Sequence, residues 1–156
     1  MIYGPDLSLE SQAPNLRNFD TFGHGTFTAG IIAGHDGALT APYAAAPASA
    51  YRGIAPDARI VSVEVATADG GTDVTQVIAA INWVVQHRND NGMNIRVLSL
   101  SYGTNSTQAS TVDPLAYAVE QAWKEGIVVV VSAGARASSS SSRRETPASR
   151  RRRRAR

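Results

Sequence analysis

Short runs of β-branched residues alternate with helix-like stretches between residues 59 and 133, and this alternation constrains the fold most. Residues 59–65, 95–101 and 127–131 have the composition of strands. The stretches between them repeat apolar residues at helical spacing: Val74, Val77, Ile78, Ile81, Val84 and Val85 in the first, and Leu115, Val119, Ala122 and Trp123 in the second. The order strand, helix, strand, helix, strand predicts an α/β fold with a parallel sheet and crossover helices.

The limits of these elements follow from local signals. The first helix is predicted to start near Thr72 or Asp73, and Gln76, three residues after Asp73, completes a partial capping box. The Asp113-Pro114 pair begins the second helix, and Gly126 ends it. The unbroken apolar run at residues 127–131 predicts a central parallel strand covered on both faces.

Two segments precede this unit. Residues 24–34 are rich in Ala, Gly and Ile, which predicts a helix packed tightly against its neighbours. Residues 35–56 are rich in Ala and Pro and have no periodicity, so they are interpreted as a surface excursion.

The net charge of +2 combines two opposite parts of the chain. Residues 1–135 carry six Lys and Arg against twelve Asp and Glu, a balance of −6, whereas residues 136–156 carry nine Arg and one Glu, a balance of +8. This tail has no apolar periodicity and is predicted to be disordered. Clustered arginines can bind phosphates, which makes a nucleic acid or another acidic surface an alternative partner. No recognition motif or interleaved aromatic residues accompany them, so no specific nucleic-acid partner is expected.

The composition limits which covalent links, metal sites and membrane segments the chain can contain. Cysteine is absent, which excludes disulfides and thiolate metal sites but leaves the compartment open. The sequence contains no run of 18 or more apolar residues, so no membrane span is predicted. The first residues do not have the pattern of a signal peptide. We expect no cofactor and no metal site, and the oligomeric state stays open.

The residues with the clearest chemistry are Gly23-His24-Gly25-Thr26 and the small-residue stretch that follows them. This segment resembles the histidine motif of the subtilisin-like serine peptidases, the subtilases, in which His-Gly-Thr opens a buried helix. The resemblance implies that His24 is a catalytic residue, which takes the proton of a serine and passes it to the leaving amine.

Three further segments resemble the same family in the same order. Gly53-Ile54-Ala55-Pro56 is similar to the family's turn before a core strand. The segment 97–103 resembles the strand whose end, Ser101-Tyr102-Gly103, pairs with the substrate backbone. The segment 128–134 resembles the strand that ends in Ala-Gly-Asn, which implies that Ser132, Ala133 and Gly134 also bind substrate.

The resemblance covers roughly residues 3–134, so residues 1–135 are interpreted as a partial subtilisin-like domain and residues 136–156 as a separate tail. It implies an incomplete parallel-sheet, three-layer α/β fold. It also implies a hydrolase that cleaves peptide bonds with an Asp/His/Ser triad, a polypeptide substrate for the intact parent, and a secreted parent protein.

The departures from the family pattern concern the rest of the triad, whose order is Asp, His, Ser. Only 23 residues precede His24. Asp20 lies where many members carry an acid besides the catalytic one, and Asp6 lacks the Asp-(Thr/Ser)-Gly context. The serine motif Gly-Thr-Ser-x-Ala-x-Pro is absent, and Ala135 replaces the asparagine of the oxyanion position.

These departures predict that the chain, as written, retains only the histidine and is inactive. A non-catalytic module that binds peptides is the alternative. Arginine-rich sequence begins where the resemblance ends, at Ala135. We therefore interpret the tail as the product of a reading-frame shift or of a truncated gene model.

Overall fold

The computed structural model describes residues 1–104 and 106–132. This part of the chain forms an incomplete α/β fold with parallel strands, as the sequence predicts. Its elements are β1 (Ile2–Asp6), α1 (His24–Ala33), β2 (Val61–Glu64), α2 (Val74–His87), β3 (Val97–Leu100), α3 (Pro114–Lys124) and β4 (Val128–Val131). Short 3-10 turns lie at Leu9–Gln12, Tyr43–Ala45 and Asp90–Gly92. The arginine-rich tail lies outside the described residues.

The strands pair in two parallel ribbons. β1 pairs with β2, with Ile2 opposite Val61 and Asp6 opposite Glu64. β3 pairs with β4 in an unbroken register that begins at Val97 opposite Val128. The order of elements predicted one sheet containing β2, β3 and β4, and this was wrong for the described residues. β2 instead pairs with β1, a strand that the sequence analysis missed.

The core lies between the two longer amphipathic helices and one face of the β3–β4 ribbon. Its fully buried apolar residues are Val77, Ile81 and Val84 of α2, Ala118 and Ala122 of α3, and Ile127 before β4. Leu98 and Leu100 of β3 and Val129 of β4 pack against this cluster. The helical spacing that predicted α2 and α3 therefore identifies the faces that meet in the core.

The predicted helix starts are confirmed. The Asp73 carboxylate accepts a hydrogen bond from the Thr75 amide at 2.7 Å, and the Gln76 side chain accepts one from the Asp73 amide at 3.0 Å. The carboxylate of Asp113 accepts bonds from the Leu115 and Ala116 amides. These acceptors satisfy amides that have no partner inside a helix.

The apolar run at residues 127–131 forms the predicted strand, β4. Such a run is typical of a strand covered on both faces, and an incomplete domain is expected to leave one face uncovered, as is the case within the described residues. Val97, Val128, Val130 and Val131 are each about half exposed, between 49% and 58%. The physical reason is that α2 and α3 cover one face of the β3–β4 ribbon, while no described element covers the other. Because successive side chains of a strand point to opposite faces, only Val97, Val128 and Val130 share the uncovered face, and we call these three residues the open valine face. Val131 lies on the helix side and is exposed at the end of β4.

The first helix is less buried than predicted. It forms over residues 24–33 as expected, yet none of its residues is fully buried, and Phe27 is 67% exposed. Its last turn is held by the segment that begins at Gly53, whose amide donates to the Gly34 carbonyl at 2.7 Å. A side chain at Gly53 would lie 2.6 Å from the Ile32 carbonyl oxygen, so this close approach requires glycine.

The excursion between residues 35 and 56 is mostly exposed, as predicted. It is tied back by a bridge between His35 and Arg52 and by the Asp57 carboxylate, which accepts from the amides of Tyr43 and Ala44. Within the described residues, no helix has the length and apolarity that crossing a membrane requires.

Candidate active site

His24 is the first residue of α1, and it is exposed to solvent. The residue before it, Gly23, has φ +88° and ψ −5°, a left-handed conformation that is costly for residues with a Cβ atom. Because glycine adopts this conformation without strain, the helix can begin at the next residue, His24. The imidazole is therefore open to solvent at the start of the helix.

The carboxylate of Asp20 holds the start of α1. Its Oδ1 accepts from the Gly23 amide at 2.7 Å, and its Oδ2 accepts from the Thr26 amide at 2.6 Å. Partial burial raises the pKa of Asp20, but these bonds, the Thr26 side chain and the nearby His24 together lower it below its usual value. Asp20 thus stays ionised beside the imidazole at neutral pH.

Asp6 lies at the carboxyl end of β1. Its oxygens accept from the Ser8 amide and hydroxyl, at 2.9 and 2.7 Å, and from the Asn18 amide at 2.8 Å. Partial burial raises the pKa of Asp6, but these hydrogen bonds and the charge of Arg17 lower it by more, so that the pKa lies below its usual value. Among the described residues, neither Asp6 nor Asp20 is hydrogen-bonded to the His24 ring.

The carboxyl ends of parallel strands commonly hold functional residues, so the position of Asp6 at the end of β1 makes it a candidate site residue. In the sequence, Asp6 lacks the Asp-(Thr/Ser)-Gly context, so no motif indicates it. Recognising Ile2–Asp6 as a strand would have supplied the missing signal. Gly4 and Pro5 interrupt its apolar pattern and hide it.

Glu64 lies opposite Asp6 in the β1–β2 register. Burial raises its pKa above the usual value, and the charges of Asp20 and Asp6 raise it further, against hydrogen bonds from the Ala66 and Val65 amides. The charges of Asp6 and Asp20 therefore act on Glu64 at this end of the ribbon. Within the described residues, no three His, Cys, Asp or Glu side chains are arranged to hold a metal ion.

Replacing Glu64 by glutamine is expected to stabilise the β1–β2 ribbon at neutral pH. An acid whose pKa is raised by folding destabilises the fold above that pKa, and the effect disappears as the pH falls through it. Exchange of the Leu7 amide, which donates to the Glu64 carbonyl at 2.8 Å, should therefore slow about twofold at pH 7 in Glu64→Gln. The two proteins should exchange alike below the ordinary Glu pKa.

The control for this prediction is Glu120→Gln. Glu120 is an exposed acid on α3, paired with Lys124 at 2.7 Å, so its replacement should leave the Leu7 amide unchanged. Equal exchange of Leu7 in the parent and in Glu64→Gln at pH 7 would contradict the prediction.

The loop before His24 is fastened to the turn between β2 and α2. The Glu10 carboxylate accepts from the Thr21 hydroxyl at 2.7 Å and from the Ala68 amide at 2.8 Å. The Phe22 ring lies against Gly70, where a Cβ atom would come within 2.9 Å of it. The sequence analysis missed Glu10, because a lone acid in a polar loop carries no recognisable pattern.

The other candidate site residues follow the β3–β4 ribbon. Ser101 and Gly103 are exposed just after β3, while Tyr102 is half-buried and packs against the core. Ser132 is exposed after β4. Because Leu100 lies opposite Val131, the register brings Ser101 and Ser132 to the same end of the ribbon. Ala133, Gly134 and Ala135 lie outside the described residues.

Comparisons with known proteins identify the class to which this fold and histidine helix belong. The sequence model of the subtilase family (Peptidase_S8) matches residues 9–151, a range that continues beyond Ala135. The chain is 34% identical over 114 residues to the serine protease AprX of Bacillus subtilis, covering 71% of this chain and 24% of that protein.

Two fungal relatives give the same result. Subtilisin-like protease 9 of Arthroderma otae is 31% identical over 140 residues, covering 81% of this chain and 30% of that protein. Subtilisin-like protease 5 of Arthroderma benhamiae is 35% identical over 114 residues, covering 72% and 24%. The chain belongs to the subtilase family, and it spans about a quarter to a third of the length of these relatives.

Proposed function

We propose that this chain is part of a serine endopeptidase, to which it contributes the general base His24 and part of the substrate cleft. The observation that carries the proposal is the placement of an exposed histidine at the start of α1, inside the region that matches the family. The remaining triad members would come from sequence that is not present in this chain.

In such an enzyme, the His24 imidazole accepts the proton of the attacking serine hydroxyl. It then donates that proton to the leaving amine. The proton of the serine hydroxyl is thus transferred to the amine by way of the imidazole. The exposed ends of β3 and β4, at Ser101 and Ser132, would bind the peptide main chain beside it. The substrate class is therefore a polypeptide in extended conformation.

The chain alone is expected to have no peptidase activity. The serine motif is absent and Ala135 replaces the oxyanion donor, and triad members act as one unit, so a lone histidine contributes almost nothing. Casein hydrolysis by the purified chain should equal that of its His24→Ala variant. Hydrolysis above that control would contradict the prediction.

A non-catalytic peptide-binding module is the second candidate. It is favoured by the exposure of Ser101 and Gly103, whose main chain directly follows β3 and is open to an added peptide. Retention of an extended peptide by the chain, without labelling by a fluorophosphonate, would support it. Salt-sensitive binding to DNA that disappears when residues 136–156 are deleted would instead indicate a function of the tail.

A further inference from the structure

We propose that Asp20 is a positioning residue for His24, because its carboxylate fixes the helix start from which the imidazole projects. The inference rests on the proposed role of His24 as a general base. It concerns a residue that the sequence analysis treated only as an extra acid of the loop.

The two oxygens of Asp20 bind on either side of the histidine. Oδ1 accepts from the amide of Gly23, the residue before His24, and Oδ2 accepts from the amide of Thr26, two residues after it. A Cβ atom at Gly25 would lie 3.4 Å from Oδ2, so the carboxylate also lies against that glycine. Asp20 thus binds the residue before His24 and the residue two positions after it, and lies near the glycine between them.

The rest of α1 gives its first turn little support. α2 and α3 each begin with their own aspartate cap and have fully buried residues. α1 begins after Gly23, which has no side chain to act as a cap, and none of its residues is fully buried. Asp20 supplies from three residues upstream the acceptors that a capping side chain would otherwise provide.

The charge of Asp20 also suits the chemistry. The imidazole becomes a cation while it holds the serine proton, and a nearby carboxylate stabilises that cation. The Asp20 carboxylate binds the amides of Gly23 and Thr26, on either side of His24, which keeps its charge near the imidazole. Asp20 therefore acts on His24 both through the backbone and through its charge.

The test is Asp20→Asn in the full 156-residue chain, with Asp113→Asn as the matched control. Asparagine offers one acceptor oxygen where Asp20 uses two, so at least one amide loses its partner. Asp113 caps α3 with Oδ1 alone, so an asparagine oxygen replaces it. Both variants make the same chemical change at a helix start, and only one of them is next to His24.

Two readouts are taken by mass spectrometry. Hydrogen exchange at the Gly23 or Thr26 amide should accelerate roughly tenfold in Asp20→Asn, with α2 unchanged. Carbethoxylation of His24 by diethyl pyrocarbonate should accelerate roughly twofold relative to His35, because a loosened first turn of α1 no longer holds the imidazole in one orientation. Asp113→Asn should change neither quantity.

The proposal is overturned if both amides exchange alike in the parent and in Asp20→Asn, including the case in which neither is protected in the parent. Unchanged His24 modification, or an equal change in Asp113→Asn, would also overturn it. Neither readout depends on hydrolysis. If these experiments contradict the role of Asp20, the proposed peptidase function is not affected. If a complete enzyme does not need His24, the effect of Asp20→Asn on amide exchange is not affected.

Discussion

In a complete enzyme that contains this segment, His24→Ala is expected to lower kcat by several orders of magnitude while changing KM little. A suitable protein is AprX of Bacillus subtilis in which the matching stretch is replaced by that of this chain. A general base acts when the proton moves in the transition state, so its loss affects turnover more than peptide binding.

The control is His35→Ala in the same hybrid protein. His35 stacks on Tyr43 in the surface excursion, with ring centroids 3.7 Å apart, and has no proposed role in catalysis. Its variant should retain kcat within about twofold. A hybrid enzyme that is active and tolerates His24→Ala would show that the histidine motif has been misread.

The isolated chain is expected to associate instead of forming a stable monomer. The open valine face exposes β-branched residues on β3 and β4, and α1 exposes Phe27 and Ile31. Exposed strands of this composition and low charge associate readily. The net stability of a domain is only about 5–15 kcal/mol, so uncovering one face of a ribbon removes a large share of it.

Size-exclusion chromatography with light scattering tests this expectation, together with urea unfolding followed by the fluorescence of Trp83 and Trp123. Val130→Lys places a charge on the open valine face and should reduce association. Val129→Lys is the matched control: Val129 packs against the core, so a charge there should increase association. If the unsubstituted 156-residue chain is a monodisperse monomer with one sharp unfolding transition, the prediction is contradicted and the peptide-binding module is favoured.

The elements that the sequence predicted well are those with local causes. α2 and α3 follow from helical spacing and from caps contributed by residues next to each helix, Asp73 and Asp113. The strand pairings depend on residues far apart in the chain, and spacing alone does not specify them. β1 pairs with a strand some 60 positions later, and its Gly4-Pro5 pair hides it from pattern analysis.

The same distinction applies to the candidate site. The motif predicts His24 as a candidate from sequence alone, because its neighbours in sequence are also its neighbours at the helix start. The carboxylates around it are brought together by folding: Glu64 comes from β2 and Glu10 reaches the turn at Ala68. The effect of neighbouring carboxylates on the pKa of Glu64 could not be predicted from a linear pattern. The catalytic role of His24 and the roles of Ser101 and Ser132 in binding substrate stay predictions.

The central claim is that His24 is the general base of a serine peptidase of which this chain is a part. Labelling by a fluorophosphonate probe tests it most directly, because the probe reacts with a serine that a histidine activates. The account predicts rapid labelling of the hybrid enzyme, labelling slowed by orders of magnitude in its His24→Ala variant, and none of the isolated chain. Equal labelling rates with and without His24, or a labelled serine in the isolated chain, would contradict it.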